Sequence, residues 1–316
     1  MTKPLYLNLS AKELEERANK AWELLNPCRV CPRECRVNRE PRSKRLVTRN
    51  KKLGFCQMGP TARVFSHHPH FGEEACLVGR NGSGTIFFSS CNLSCVYCQN
   101  WEISQLRLGN KVSNERLGQM MVKLQNQDCH NINLVSPTIW VPQILKALTF
   151  ATKKGVKIPL VYNTGGYDSV ETLKLLEGIV DIYMPDIKYS DNKMGLKYSK
   201  VFHYWSAVKK VIEEMHRQVG DLIIENGLAK RGLLIRHLVL PNNLVGTEKV
   251  MKFLANKVSK ATYVNIMDQY WPTNKAYQYP ELSRRTTSEE YTKAVRLAQQ
   301  FGLWRFDKPS ALNITT

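Results

Sequence analysis

Cys91-Asn92-Leu93-Ser94-Cys95-Val96-Tyr97-Cys98 places three thiols in one short stretch, spaced C-x3-C-x2-C, with an aromatic residue just before the third. Three thiolates on one compact loop can hold three corners of a cubane iron–sulfur cluster. The fourth iron is then left without a protein ligand, so it can bind a small molecule and pass it an electron. Structural zinc usually takes four ligands, often as two C-x2-C pairs, and the next cysteine downstream is Cys129. The spacing therefore favours a site-differentiated [4Fe–4S] cluster over zinc, and marks the loop as a reaction centre.

Working outward, Thr85–Ser89 is a strand candidate that runs straight into this loop. Short apolar runs then alternate with amphipathic helical stripes. Strands are expected at Asn131–Val135, Leu160–Asn163, Val180–Met184, Leu233–Leu238 and Tyr263–Met267. Helical stripes lie between them: Leu117/Met120/Met121/Leu124, Val141/Ile144/Leu145/Leu148, Val170/Leu173/Leu176, Val208/Val211/Ile212/Met215/Val219 and Val250/Phe253/Leu254/Val258. Strands alternating with helices imply parallel pairing with right-handed crossovers. Six such units suit an α/β fold, an open, partial (β/α)6 barrel, whose strand C-terminal ends carry the chemistry. Each strand is followed by polar, Gly or Pro residues, as at Ser136-Pro137-Thr138, Asn163-Thr164-Gly165-Gly166 and Pro185-Asp186. Those ends are expected to converge on one cavity. A final helix from Ser288 to Phe301, opened by a Thr287/Glu290 capping box, is expected to close one side.

Upstream the texture differs. Ser10–Asn26 reads as a capped amphipathic helix, with Ser10 and Glu13 as the capping box. Pro27–Gln57 holds Cys28, Cys31, Cys35 and Cys56, few large apolar residues, and a basic run from Arg29 to Lys52. Such a segment cannot bury enough surface to order itself, so a metal is expected to organise it. The spacing C-x2-C-x3-C-x20-C fits either zinc or an auxiliary [4Fe–4S] cluster. The expected division is 1–80 for the N-terminal helix and small cysteine-rich metal module, and 81–316 for the barrel and C-terminal helix.

The chain has 316 residues, 43% of them hydrophobic, and a net charge of +19. That suffices for a sizeable core and favours anionic partners: an acidic protein, a phosphorylated substrate or nucleic acid. Residues 1–19 lack an apolar signal region and carry Glu13, Glu15 and Glu16. With no run of membrane-span length, a reducing cytoplasm is the expected compartment, and the clustered cysteines among the nine read as metal ligands rather than disulfides. Interleaved aromatics are missing from the basic run, which makes it weak as a single-strand nucleic-acid platform.

The cysteine loop resembles the signature of the radical S-adenosylmethionine superfamily. Further segments resemble its pyruvate formate-lyase activating enzyme-like branch: Gly82–Phe88, Cys98–Asn100, Val161–Tyr167, Asp181–Tyr189, Arg236–Pro241 and Asn265–Tyr270. The likeness extends to the N-terminal Cys28–Cys35 and Gly54–Cys56. It implies a partial barrel of radical SAM type, with Cys91, Cys95 and Cys98 as cluster ligands and Tyr97 near the adenine. Ser136, Thr138, Asn163, Thr164, Gly165, Asp186 and Lys188 would cradle cofactor or substrate. It also implies an electron donor such as flavodoxin or ferredoxin, and a partner enzyme activated by loss of a glycine hydrogen. Modification of RNA, another protein or a small molecule stays open. A metal-bearing RNA-binding protein without turnover is the reading from another class, and the polar strand ends speak against it.

The remaining candidates read as structure. Asp168 and Glu171 look like a helix N-terminal cap, His67, His68 and His70 like a surface loop, Met120 and Met121 like core, and Cys76 and Cys129 like buried free thiols.

Overall fold

The computed structural model describes residues 3–39 and 53–307. Among the described residues the strands, in chain order, are β1 (Ala62–His70), β2 (Ser83–Phe88), β3 (Asn110–Val112), β4 (Ile132–Val135), β5 (Leu160–Thr164), β6 (Ile182–Pro185), β7 (Ile223–Glu225), β8 (Leu228–Leu238), β9 (Tyr263–Met267) and β10 (Arg305–Phe306). They form one sheet in the order β10-β9-β8-β6-β5-β4-β2-β1-β3, with β7 paired onto β8. Every junction from β2 to β9 is parallel. These are the six strands expected from the hydrophobic runs, and they make the partial (β/α)6 barrel.

Side chains alternate across this sheet with the period of two that a strand imposes. Ile86, Ile132, Leu134, Tyr162, Leu233, Ile235 and Val264 pack outward with the helices in the main core. Their neighbours Val161, Ile182, Met184 and Leu234 face inward and meet Cys76 and Leu77 in a second apolar cluster. The crossover helices Asn114–Asn126, Val141–Lys153 and Tyr204–Val219 follow the predicted stripes. Met120 and Met121 are buried as expected. Helix Ser288–Gln300 opens with the Thr287/Glu290 capping box fully formed.

Among the described residues, much of the chain before residue 81 packs into the main core. Helix Ala11–Glu23, with its Ser10/Glu13 capping box, sends Leu14, Ala18 and Ala21 into the main core beside Tyr6. Only Leu24, Leu25, Cys28 and Val30 form a small cluster apart. The histidines expected on a surface loop lie instead on β1, which pairs antiparallel with β2 through His67↔Ile86, His68↔Thr85 and His70↔Ser83. His68 stacks on Phe87 and His70 meets the same ring edge-on. Among the described residues no helix is long and apolar enough to cross a membrane.

The N-terminal strap is locked to the barrel through Asp181. Its two carboxylate oxygens accept the backbone N–H groups of Leu5 at 2.7 Å and Leu160 at 2.8 Å. Burial pushes the carboxyl up to about 7, against the partial opposition of these two donors. The unfolded carboxyl titrates near about 3.9, so the folded value is the raised one. Its stabilising contribution is therefore full below the unfolded pKa and lost as pH rises through about 7. The urea midpoint of the parent is expected to fall between about pH 5 and pH 8, and to fall less in Asp181→Asn. Equal slopes in both proteins count against this role.

Candidate active site

The cysteine loop leaves β2 through Ser90, whose φ of 69° turns the chain sharply. Neighbouring segments then hold the loop by its backbone. Ser94 and Val96 donate to the carbonyls of Ser199 (3.0 Å) and Tyr198 (2.8 Å), and Val96 O accepts from the N–H of Lys275 (2.8 Å). Cys91, Cys95 and Cys98 thereby line one end of a cavity of about 370 Å³. The other walls are strand ends: Ser136 after β4, Asn163, Thr164 and Gly165 around the end of β5, and Asp186 and Lys188 after β6.

The thiols have soft polar company. Cys95 Sγ lies 3.0 Å from Ser199 Oγ, Cys98 Sγ lies 3.2 Å from Ser104 Oγ, and the Leu93 N–H donates to Cys91 Sγ at 3.4 Å. Burial pushes the Cys91 thiol up to about 12 and that of Cys95 to about 11, with Lys188 opposing the shift at Cys95. Lys188 Nζ donates to Asp186 Oδ2 at 2.6 Å. Burial would lower this ammonium, but Asp186 and Cys95 hold it well above the ordinary lysine value. Two glycines shape the adjoining wall. A Cβ on Gly165 would stand 2.5 Å from Leu93 Cδ1, and one on Gly166, at φ 77°, would stand 2.3 Å from the Asp186 carbonyl.

The cavity floor was not foreseen. Arg236 on β8 points inward and pairs with Glu74 at 2.6 Å and with Glu73. Glu74 also accepts from Asn265 Nδ2 at 2.8 Å. Burial disfavours the Arg236 cation, yet these two carboxylates hold it well above its usual value. Asn163 Oδ1 sits 3.5 Å from Arg236 Nη1. Two residues before Val135 on β4, the buried amide of Asn133 has no hydrogen-bond partner for either Nδ2 or Oδ1. A single Arg inside the apolar run of β8 is the sequence signal that could have found this network, because a buried charge needs a partner.

Two residues expected at the cavity stand behind it. Tyr97 is buried edge-on against Tyr189 (6.4 Å) and Tyr270 (5.8 Å). Thr138 opens a short 3₁₀ turn and donates to Asp168 Oδ1 at 2.7 Å. Asp168 is not a helix cap: the N-cap is Ser169. Its carboxylate accepts from Thr138, Thr164 (2.7 Å) and Tyr162 (2.8 Å) in a closed, buried set. Burial pushes this carboxyl up, partly offset by the three donors. His237 is likewise structural. Burial lowers it to about 4, and its Nδ1 and Nε2 bond Ile187 O (2.9 Å) and Thr247 Oγ1 (3.0 Å).

Cys28, Cys31, Cys35 and Cys56 line a second, smaller cavity together with Arg33, Arg39 and Asn92. Burial pushes the Cys31 thiol up to about 12. Of the basic run, Arg42, Lys44, Arg45, Arg49, Lys51 and Lys52 lie outside the described residues. Arg33 and Arg39 are not free for a partner. Arg33 donates to Asn92 O and Lys200 O, both at 2.6 Å, and lies 3.3 Å above the Phe55 ring. Arg39 is buried against Ile139 O (2.9 Å) and Gly59 O (3.1 Å).

Among the described residues no three His, Cys, Asp or Glu side chains close on a single metal ion. A cubane binds each thiolate on a different iron, so its fit is judged on donor type and setting. Three thiols on one pinned loop, sulfur-facing hydroxyl and N–H groups, and a glycine wall beside them suit a cluster with a polar cosubstrate.

The family model described as the Radical SAM superfamily matches residues 85–228. An uncharacterized protein of Methanocaldococcus jannaschii, MJ0674, is 34% identical over 299 residues, covering 92% of this chain and 79% of that protein. Among solved structures, a histidine-tagged anSMEcpe with bound AdoMet is 16% identical at a TM-score of 0.47, covering 67% of this chain and 57% of the other. HydG, a maturase of the [FeFe]-hydrogenase, is 12% identical at 0.48, covering 68% and 48%. The chain thus spans about half the length of the solved chains it matches.

Asp168→Ala is expected to lower unfolding free energy by about 3 kcal/mol, since three buried hydroxyls lose their acceptor. Glu171→Ala, on the exposed first turn, is expected to leave the denaturation midpoint unchanged. Equal effects from the two substitutions restore the capping role.

Proposed function

We propose that this chain, which belongs to the radical S-adenosylmethionine superfamily, reductively cleaves S-adenosylmethionine at a [4Fe–4S] cluster held by Cys91, Cys95 and Cys98. The observation that carries this reading is the placement of those three thiols at one end of a cavity built from parallel strand ends. When bound, the cluster and S-adenosylmethionine supply a one-electron cleavage of the sulfonium to methionine and a 5′-deoxyadenosyl radical that takes a hydrogen atom from substrate.

The protein's own residues bind, orient and exclude water. Lys188, fixed by Asp186, offers ammonium donors to a carboxylate in the cavity. Ser136, Asn163 and Thr164 offer polar contacts along the strand ends, and Gly165 keeps the approach to the loop open. Phe87, Val135 and Met267 supply the apolar wall that keeps water from the reacting atoms. Thr138 acts one step back, through Asp168 and Thr164. Tyr97 packs the rear of the loop. In the same reading Cys28, Cys31, Cys35 and Cys56 hold a second metal, zinc or an auxiliary cluster, and metal content in Cys28→Ala decides between them.

The segments that resemble pyruvate formate-lyase activating enzyme-like proteins support a glycine of a partner protein as the hydrogen donor. A carbon-centred doublet in electron paramagnetic resonance after mixing with a candidate partner is the expected signature. Its absence with every such protein of the host rejects the glycyl target.

Anaerobic reconstitution with iron and sulfide, then S-adenosylmethionine and dithionite, is expected to yield 5′-deoxyadenosine, and Cys95→Ala to yield none. Lys188→Ala is expected to weaken S-adenosylmethionine binding about tenfold or more in equilibrium dialysis. A parent protein with a full iron load and no product overturns the reading.

A further inference from the structure

One buried charge in the reaction cavity has no task in holding the fold. Arg236 is answered in full by Glu74: its Nε donates to Oε1 at 2.6 Å and its Nη2 to Oε2 at 2.7 Å. A two-bond contact of this kind is the strong form of an arginine–carboxylate pair, and it neutralises the guanidinium. Asn265 Nδ2 gives Glu74 a further donor at 2.8 Å. Glu73 then brings a second carboxylate to the same cation, through Oε2 alone. Its Oε1 has no hydrogen-bond partner among the described residues. The Glu73 side chain is only 6% exposed, and it lines the cavity beside Arg236. Burying a carboxylate that no cation needs destabilises a fold, so Glu73 calls for a partner that enters from outside.

The rest of the cavity does not absorb this charge. Lys188 is the other lysine or arginine of the lining, and Asp186 holds it at 2.6 Å. Lining and floor together therefore carry one carboxylate more than they carry lysines and arginines. His70, at the end of β1, lines the same cavity. Its ring stands against the turn that leads to Glu73, since a Cβ on Gly72 would come 3.0 Å from its Nε2. The ring meets His68 and Phe87 edge-on and makes no hydrogen bond among the described residues. A neutral imidazole has one acceptor nitrogen, and an ammonium has three donors and one positive charge. Glu73 supplies the countercharge for such a group, and His70 an acceptor.

We propose that the substrate of this cavity carries a protonated amine, and that Glu73 is the residue that selects it. The proposal rests on the radical S-adenosylmethionine reading above, in which the cosubstrate is bound at the cysteine end of the cavity.

The test uses two ligand pairs that differ in one charge: butylammonium against butanol, and acetyl-Gly-Lys-Gly-amide against its norleucine counterpart. Binding to the reconstituted protein with S-adenosylmethionine is followed by titration calorimetry, in the parent and in Glu73→Gln. The substitution keeps the side-chain volume and leaves Arg236 with its two bonds to Glu74. Iron content and circular dichroism confirm that the variant is loaded and folded. The parent is expected to bind the ammonium member of at least one pair about tenfold more tightly or better. Glu73→Gln is expected to lose that preference. A preference in the butyl pair alone assigns a free amine, and one in the peptide pair assigns a lysine of a polypeptide. A parent with no preference in either pair, as when His70 itself answers Glu73, overturns the proposal. A Glu73→Gln protein that keeps the preference also overturns it. So does a loss of S-adenosylmethionine affinity in Glu73→Gln, because the carboxylate then serves the cosubstrate. Formation of 5′-deoxyadenosine by the parent under dithionite is read separately. Its absence from loaded protein sinks the function, while the ligand preference still decides the amine site.

Discussion

The backbone of residues 90–98 is largely buried without belonging to any strand or helix; Leu93 and Cys98 N–H groups are met within the loop, and several of its other polar groups are met from outside. A buried N–H or C=O left unpaired costs on the order of 1–3 kcal/mol, so the loop exists in this shape only because distant segments complete it. Ser94 and Val96 bond the 198–199 turn, Ser90 N–H reaches Ile103 O, and Val96 O takes the N–H of Lys275. Asn92 bonds Tyr167 O through its amide and accepts Arg33 through its carbonyl. The position of three sulfur atoms is thus a property of the whole barrel, and the strand order matters chiefly because it brings these segments to one end.

A contrast in charge follows from the same geometry. The barrel interior buries two cations and answers each with carboxylates: Lys188 with Asp186, and Arg236 with Glu73 and Glu74. A chain with such an excess of Lys and Arg over Asp and Glu therefore has an inner cavity close to charge balance. Its positive field belongs to the outside.

The parallel strands were legible because each is a short apolar run closed by Ser, Asn, Asp, Gly or Pro, a pattern that fixes both the element and the end that carries chemistry. β1 was not. Arg63-Val64-Phe65-Ser66-His67-His68-Pro69-His70 mixes polar and apolar residues without a clean alternation, and its order comes from pairing with β2 rather than from its own pattern. The strand ends were found, but the direction of each side chain was not. Ser136 adopts φ 58° and lines the cavity, while the next turn swings Thr138 into the Asp168 set. Asp168 looked like a cap because only local spacing is visible in a sequence, whereas three of its partners are set by tertiary contact. Arg236 lies more than 160 positions from the adjacent Glu73 and Glu74, and nothing local joins it to them.

The side chain of Arg33 has a consequence for how divisible this protein is. It lies between Cys31 and Cys35 in sequence, is stacked on Phe55, and donates to the carbonyls of Asn92 and Lys200. Together with Leu5 at Asp181 and the helix Ala11–Glu23 in the main core, it ties the N-terminal segment to the barrel and to the cysteine loop. An appended module can ordinarily be trimmed away or exchanged between relatives while the barrel keeps its chemistry. Here a barrel excised at residue 81 would lose one of the supports of its own cysteine loop, so the two cysteine sets must be inherited, transplanted or redesigned as one unit.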